Sequence, residues 1–112
     1  VDMVFRRGGR WYIVDWKSNR LGPSWDDYAP PAIAAAMAHH HYYLQYHLYT
    51  VALHRYLRRR VPDYDYASHF GGVFYLFVRG IHPRLGPSRG VFFDRPPAAR
   101  ISRSIATARG PS

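Results

Sequence analysis

The sequence predicts an α/β domain, a small mixed β-sheet with flanking helices, and three observations carry that prediction. Two β-branched and aromatic runs, Val1 to Arg6 and Arg10 to Lys17, flank the pair Gly8-Gly9, a strong short-range hairpin signal. Gly72 to Arg79 is rich in Val, Phe, Tyr and Leu and reads as a buried strand that extends the hairpin's sheet. Between them, Tyr42 to Arg59 carries bulky residues at steps of three and four, the period of a helix packed across one face of that sheet.

The hairpin sets the geometry. A two-residue turn at Gly8-Gly9 pairs Arg7 with Arg10, Arg6 with Trp11, Phe5 with Tyr12, Val4 with Ile13 and Met3 with Val14, and brings Asp2 opposite Asp15. Alternation then puts Asp2, Val4, Ile13, Asp15 and Lys17 on one face and the almost wholly apolar set Met3, Phe5, Tyr12, Val14 and Trp16 on the other. A one-residue slip would separate the aspartates and mix polar with apolar positions on both faces. A four-residue turn would keep the register.

Opposed residues have Cβ atoms roughly 5 Å apart, where two bare carboxylates repel by roughly 3 kcal/mol at an effective dielectric near 20. A divalent cation offsets that repulsion best, and a hard ion such as Mg²⁺ is commonly held by one or two carboxylates plus water and phosphate oxygens. Lys17 sits one strand step further on the same face. There it is placed to orient or deprotonate an attacking water, or to neutralise charge on a pentacovalent phosphorus. D-x-K occurs by chance in many proteins, and a charged strand end is often merely solvated. Composition argues for more: fifteen of the sixteen basic residues are Arg, and Lys17 is the only lysine. A compact ammonium whose pKa moves readily on desolvation has been kept at this one position.

Ser18 to Pro31 loses periodicity and gathers Asn19, Gly22, Pro23, Ser24, Asp26 and Asp27, so it reads as a loop. It leaves the Lys17 strand directly, which makes Arg20 a candidate phosphate contact; an ordinary solvated loop is the alternative. Ala32 to Ala38 is helix-prone behind a proline. His39, His40 and His41 mark a bend, and three adjacent helical histidines diverge too far to chelate one ion. In the long helix, Tyr42, Gln45, Tyr46, Tyr49, Leu53 and Tyr56 form the inward stripe. A buried amide costs on the order of 1 to 3 kcal/mol without a partner, so Gln45 is expected to face the sheet near the Asp15 to Lys17 strand and find one there. Arg58, Arg59 and Arg60 suit the helix C-terminus, and Pro62 stops it. Gly71-Gly72 permits close packing at the start of the third strand, Val91 to Phe93 is a further short strand, and from Ala98 onward nothing periodic survives.

A length of 112 residues accommodates one small domain, with no internal repeat. The absence of cysteine excludes a disulfide framework and a cysteine-ligated zinc or iron-sulfur site. No apolar run reaches membrane-spanning length and no signal peptide opens the chain, so a cytoplasmic setting is expected. A net charge of +9 with well-spread arginines points to a polyanionic partner, nucleic acid first; high Arg, Ala, Gly and Pro with no Glu also reflects coding bias.

Asp2, Asp15 and Lys17, set in V-D-x-V and V-D-W-K-S, resemble the active-site hairpin of the PD-(D/E)xK nuclease superfamily. More narrowly, RWYIVDWKSN, LQYHLYTVALHRYL, DYDYASHFGGVFYLFVRG and GVFFDRP resemble the C-terminal nuclease domain of the RecB family, the beta subunits of exodeoxyribonuclease V. The likeness runs from Val1 to about Pro97. It implies a restriction-endonuclease-like core over residues 1–97, N-terminally truncated, with 98–112 a disordered tail. It implies Mg²⁺-dependent exonucleolytic hydrolysis of DNA in double-strand break repair and recombination. Asp2 and Asp15 would be metal ligands together with the Trp16 backbone carbonyl, and Lys17 would serve the water or transition state. Gln45 and Tyr49 match the family's Q-x-x-x-Y motif, whose implied role is to support the site and touch DNA; without the resemblance they read as a satisfied core amide beside a packing tyrosine. The parent would be an ATP-dependent helicase-nuclease with RecC- and RecD-type partners, and an upstream helix would add a histidine ligand. A catalytically inactive nuclease-like fold that binds DNA or a partner subunit is the competing expectation, and a basic nucleic-acid-binding β module without nuclease ancestry the third.

Overall fold

The computed structural model describes residues 2–108, so the first residue of the expected hairpin, Val1, and the last four of the tail lie outside the described residues. Strands β1 (Met3–Arg7) and β2 (Arg10–Lys17) form the hairpin. Gly8 and Gly9 both take positive φ, 59° and 76°, the turn whose twist matches the flanking strands. Met3 pairs with Val14, Val4 with Ile13, Phe5 with Tyr12, Arg6 with Trp11 and Arg7 with Arg10, the register expected from the alternation.

Strand β3 (Phe70–Phe77) lies parallel to β2, with Ile13 beside Val73, Asp15 beside Tyr75 and Lys17 beside Phe77. Strand β4 (Val91–Asp94) closes the sheet antiparallel to β3, giving the order β1-β2-β3-β4. A parallel pair needs a long crossover, here helices α1 (Pro30–His39), α2 (Tyr42–Arg60) and the single turn α3 (Tyr66–His69). His41, at φ 59°, makes the bend between α1 and α2. The expected strand over Gly72 to Arg79 starts two residues earlier and stops at Phe77, because Val78–Gly80 turns into a 3₁₀ helix. Gly71 is required by packing: a Cβ there would enter the Tyr12 ring.

Helices and sheet meet on the face of Ile13, Val73, Tyr75 and Phe77, which join Ile33, Met37, Tyr46, Tyr66 and Ile101 in the core. That is also the face of Asp15 and Lys17. The apolar face stays the more open one. On it Phe5, Tyr12, Phe74 and Phe93 form a row of ring contacts across all four strands, with centroid separations of 5.0, 6.0 and 4.7 Å, the first pair stacked and the other two tilted.

Two expectations are corrected. The inward stripe of α2 holds for Tyr46 and partly for Tyr42, Gln45, Tyr49 and Leu53, but Tyr56 is 55% exposed while Thr50 and Leu57 are buried. Thr50 can be buried because its hydroxyl donates back to the Tyr46 carbonyl at 2.8 Å. The tail, expected to be disordered from Ala98, is helical over Ala98–Ala108 (α4), with Ile101 1% exposed in the core. No helix among the described residues is long and apolar enough to cross a membrane.

Candidate active site

Asp2, Asp15, Lys17 and Gln45 converge on the core-side face of β2. Asp2 lies at the start of the hairpin: its backbone N–H donates to the Val14 carbonyl at 3.2 Å, and its Oδ2 accepts the Trp16 backbone N–H at 2.7 Å. That N–H bond is the main reason the Asp2 carboxyl is held below the usual carboxylate range. Asp15, 5% exposed, moves the other way. Burial raises its pKa first, and the hydrogen bond it shares with Asp2 raises it further. The two carboxyl groups are thus pushed in opposite directions, as happens when neighbouring carboxylates share one site.

Lys17 Nζ is 3.4 Å from Asp15 Oδ1. It also stands 4.3 Å from the Tyr42 ring centroid and 5.4 Å from that of Tyr75, inside the range of a cation–π contact. The Tyr42 hydroxyl donates to Asn19 Oδ1 at 3.3 Å, so α2 grips both the ammonium and the chain just beyond it. Tyr75, beside Asp15 in the parallel register, donates its hydroxyl to Gln45 Oε1 at 2.5 Å. This is the polar partner that an inward-facing amide required. Burial, with the Asp15 charge next, raises the Tyr75 pKa and keeps its hydroxyl a donor.

The other expected site residues are dispersed. Tyr49 is half-buried against the core, near enough to Tyr75 to raise its pKa. Arg20 is exposed in the loop after β2 and lines a separate cleft. The Trp16 side chain is 43% exposed on the opposite face, its backbone N–H committed to Asp2. Tyr42, read from the sequence only as part of the packing stripe, and Tyr75 are the site residues that the sequence reading did not assign to the site. Tyr42 stands three residues before Gln45 on the same stripe, a spacing that placed it near the site, whereas Tyr75 is reached only through the register of β2 against β3.

Among the described residues no group of three or more His, Cys, Asp or Glu side chains converges as a metal cage. Two carboxyl groups in hydrogen-bonding reach of one another nevertheless need a proton or a cation between them, and a hard divalent ion that keeps most of its water requires no more protein ligands than these two.

A four-stranded mixed sheet flanked by helices, with this carboxylate pair and lysine on its β1-β2 hairpin, places the chain in the restriction-endonuclease-like α/β class. No family model matches the sequence. It is 54% identical over 102 residues to the RecBCD enzyme subunit RecB of Escherichia coli, covering 91% of this chain and 9% of that protein. The same subunit of Haemophilus influenzae is 53% identical over 102 residues, 91% of this chain and 8% of the relative. That of Mycobacterium tuberculosis is 45% identical over 107 residues, 90% and 10%. The chain is thus similar to one part of these RecB subunits, and it spans about a tenth of the length of these curated relatives.

Proposed function

We propose that this chain is the nuclease module of a RecB-type helicase-nuclease and hydrolyses DNA phosphodiester bonds in double-strand break repair and recombination, with Mg²⁺ as cofactor. The single observation that carries the reading is the paired Asp2 and Asp15 carboxyl groups with the Lys17 ammonium 3.4 Å from Asp15. Two opposed carboxylates are costly for a fold that has no use for them. Asp2 and Asp15 would hold the metal, with the Trp16 carbonyl as the ligand the family resemblance adds. When bound, the ion supplies Lewis acidity and a more acidic water.

The protein's own part is positioning. The Trp16 N–H keeps Asp2 ionised and aimed at Asp15. Tyr42 and Tyr75 hold Lys17 beside the carboxylates, where its charge can stabilise a pentacovalent phosphorus. Gln45 steadies Tyr75, and Tyr49 packs behind it. The relatives' name implies assembly with RecC- and RecD-type subunits, and a cytoplasmic setting suits a DNA substrate.

The test is cleavage of linear DNA by the full-length parent with Mg²⁺ or with EDTA. Asp15→Asn and Lys17→Met should each remove cleavage while DNA unwinding continues. Cleavage that persists in Asp15→Asn would refute the assignment.

A further inference from the structure

Beyond Lys17 the chain turns into a cleft that the carboxylate site does not use. It has a volume of about 400 Å³ and is lined by Arg20, Trp25, Tyr28 and Arg79 among others. It lies at the C-terminal ends of the parallel pair β2 and β3, where α/β sheets hold their ligands. The placement is fixed by a hydrogen bond: Arg79, two residues past Phe77, donates its Nε to the carbonyl of Ser18, the residue after Lys17, at 2.7 Å.

The walls are built without a ligand. Tyr28, 3% exposed, accepts the Leu21 N–H on its hydroxyl at 3.1 Å and receives the Gly90 N–H on its carbonyl at 2.9 Å. Ser24 caps the 3₁₀ turn Trp25–Tyr28 through Asp27 at 3.0 Å. Arg89 pairs with Asp26 at 2.9 Å. Both loop carboxylates are thereby engaged, and neither lines the cleft. What does line it is cationic: Arg20 has no hydrogen-bond or ion-pair partner among the described residues, and Arg79 keeps its terminal guanidinium nitrogens free there. Trp25 is 47% exposed although it sits on an ordered turn, with His82 5.5 Å away.

A flat aromatic surface beside two guanidiniums that no carboxylate among the described residues neutralises matches one nucleotide unit, the base on the ring and the phosphate on the forks. Duplex DNA hides its base faces, whereas a single strand offers them. We propose that this cleft is a single-stranded DNA subsite next to the cleavage site, with one base stacked on Trp25 and its phosphate held by Arg20 and Arg79. The proposal rests on the nuclease reading for what happens beside it, but binding there does not require cleavage.

The experiment uses the full-length parent in two arms. In EDTA, single-stranded oligonucleotides carrying one 5-iododeoxyuridine are photocrosslinked and the attachment is mapped by mass spectrometry. In Mg²⁺, cleavage is measured on oligonucleotides with a single abasic position moved stepwise along the strand. Attachment at Trp25 from single-stranded but not duplex DNA is expected. So is an abasic penalty of about five-fold or more at one position beside the cut, the size of a lost base stack, which Trp25→Phe keeps and Trp25→Ala abolishes. Arg20→Ala should lessen the salt dependence of crosslinking. Attachment mapping away from Trp25, equal attachment from duplex, or an abasic penalty unchanged in Trp25→Ala would overturn the subsite. Attachment at Trp25 without any cleavage would uphold the subsite and reject the nuclease reading alone.

Discussion

Replacing Asp15 with Asn separates a carboxylate kept for metal from one kept for structure. Asp15 is 5% exposed, faces Asp2 across the hairpin and has Lys17 Nζ at 3.4 Å. At an effective dielectric near 20 the Lys17 contact at 3.4 Å attracts by roughly 5 kcal/mol before solvent screening, while the exposed Asp2 carboxylate repels across the hairpin. Neutralising Asp15 removes both, together with a desolvation cost of a few kcal/mol for a charge so nearly buried. The repulsion and the desolvation cost both oppose the Lys17 attraction, so the net change is small beside it, and Asn can still hydrogen-bond Asp2. The metal-free variant should therefore unfold within a few degrees of wild type, and on the higher side if the repulsion dominates.

Adding Mg²⁺ breaks that parity. At ten times its Kd the ion stabilises the native state by about 1.4 kcal/mol, a rise of about 5 °C or more for a module of this size. Wild type should show the rise and Asp15→Asn should not. Thermal melts in EDTA and in Mg²⁺, read beside cleavage, give the result directly. An Asp15→Asn protein that melts far below wild type in EDTA would mean that Asp15 accepts hydrogen bonds the fold needs. One that still gains from Mg²⁺ and still cuts DNA would remove the metal site.

Tyr42→Leu should lower cleavage by about ten-fold, since a cation–π contact is worth about 0.5 to 2 kcal/mol, while Tyr42→Phe, which keeps the ring over Lys17, should retain most of it; equal losses would shift the role to the Asn19 hydrogen bond. His54, packed against Tyr64 and Tyr66, has its pKa pushed below the ordinary 6.5, by burial first and by Arg58 second. The unfolded chain then takes up the proton more readily than the native one, so stability is present above about pH 6.5 and is lost as pH falls below it; melts at about pH 7.5 and 5.5 should differ more in wild type than in His54→Phe. Gly71→Ala drives a methyl into the Tyr12 ring, and equilibrium unfolding should register a loss of about 1 to 3 kcal/mol.

What could be read from the chain in advance was local. The hairpin register follows from Gly8-Gly9 and the alternation on either side, and it carried Asp2 to Asp15 without help from the rest of the fold. Gln45 was legible because an amide on an inward stripe must find a partner. The choice of face was not legible. The apolar set Met3, Phe5, Tyr12, Val14 and Trp16 looks like the natural core side, yet the helices cover Asp15's side, because the tyrosines of α2 and β3 bring hydroxyl partners for the polar groups there. Nor was α4, although Ala98, Ile101, Ile105 and Ala108 fall at steps of three and four; so short a stripe becomes informative only once Ile101 is seen in the core. The pairing of Asp15 with Tyr75 crosses sixty residues, and no short-range pattern sets the register of a parallel pair.

That separation has a kinetic side. The β1-β2 hairpin closes over a two-residue turn and can form on the microsecond scale, so Asp2 and Asp15 can meet before the remainder of the chain has collapsed. An isolated hairpin is marginal in water, and this one carries repulsion at its open end. It gains lasting support only when β3 docks alongside β2, after a loop closure that long-range parallel pairing makes slow. Tyr75 arrives with β3, and Tyr42 and Gln45 with α2. The lysine thus acquires its final setting in the closing stage of folding, so a chain stalled with only its hairpin formed would display both acidic groups and have no ordered amine to work with them.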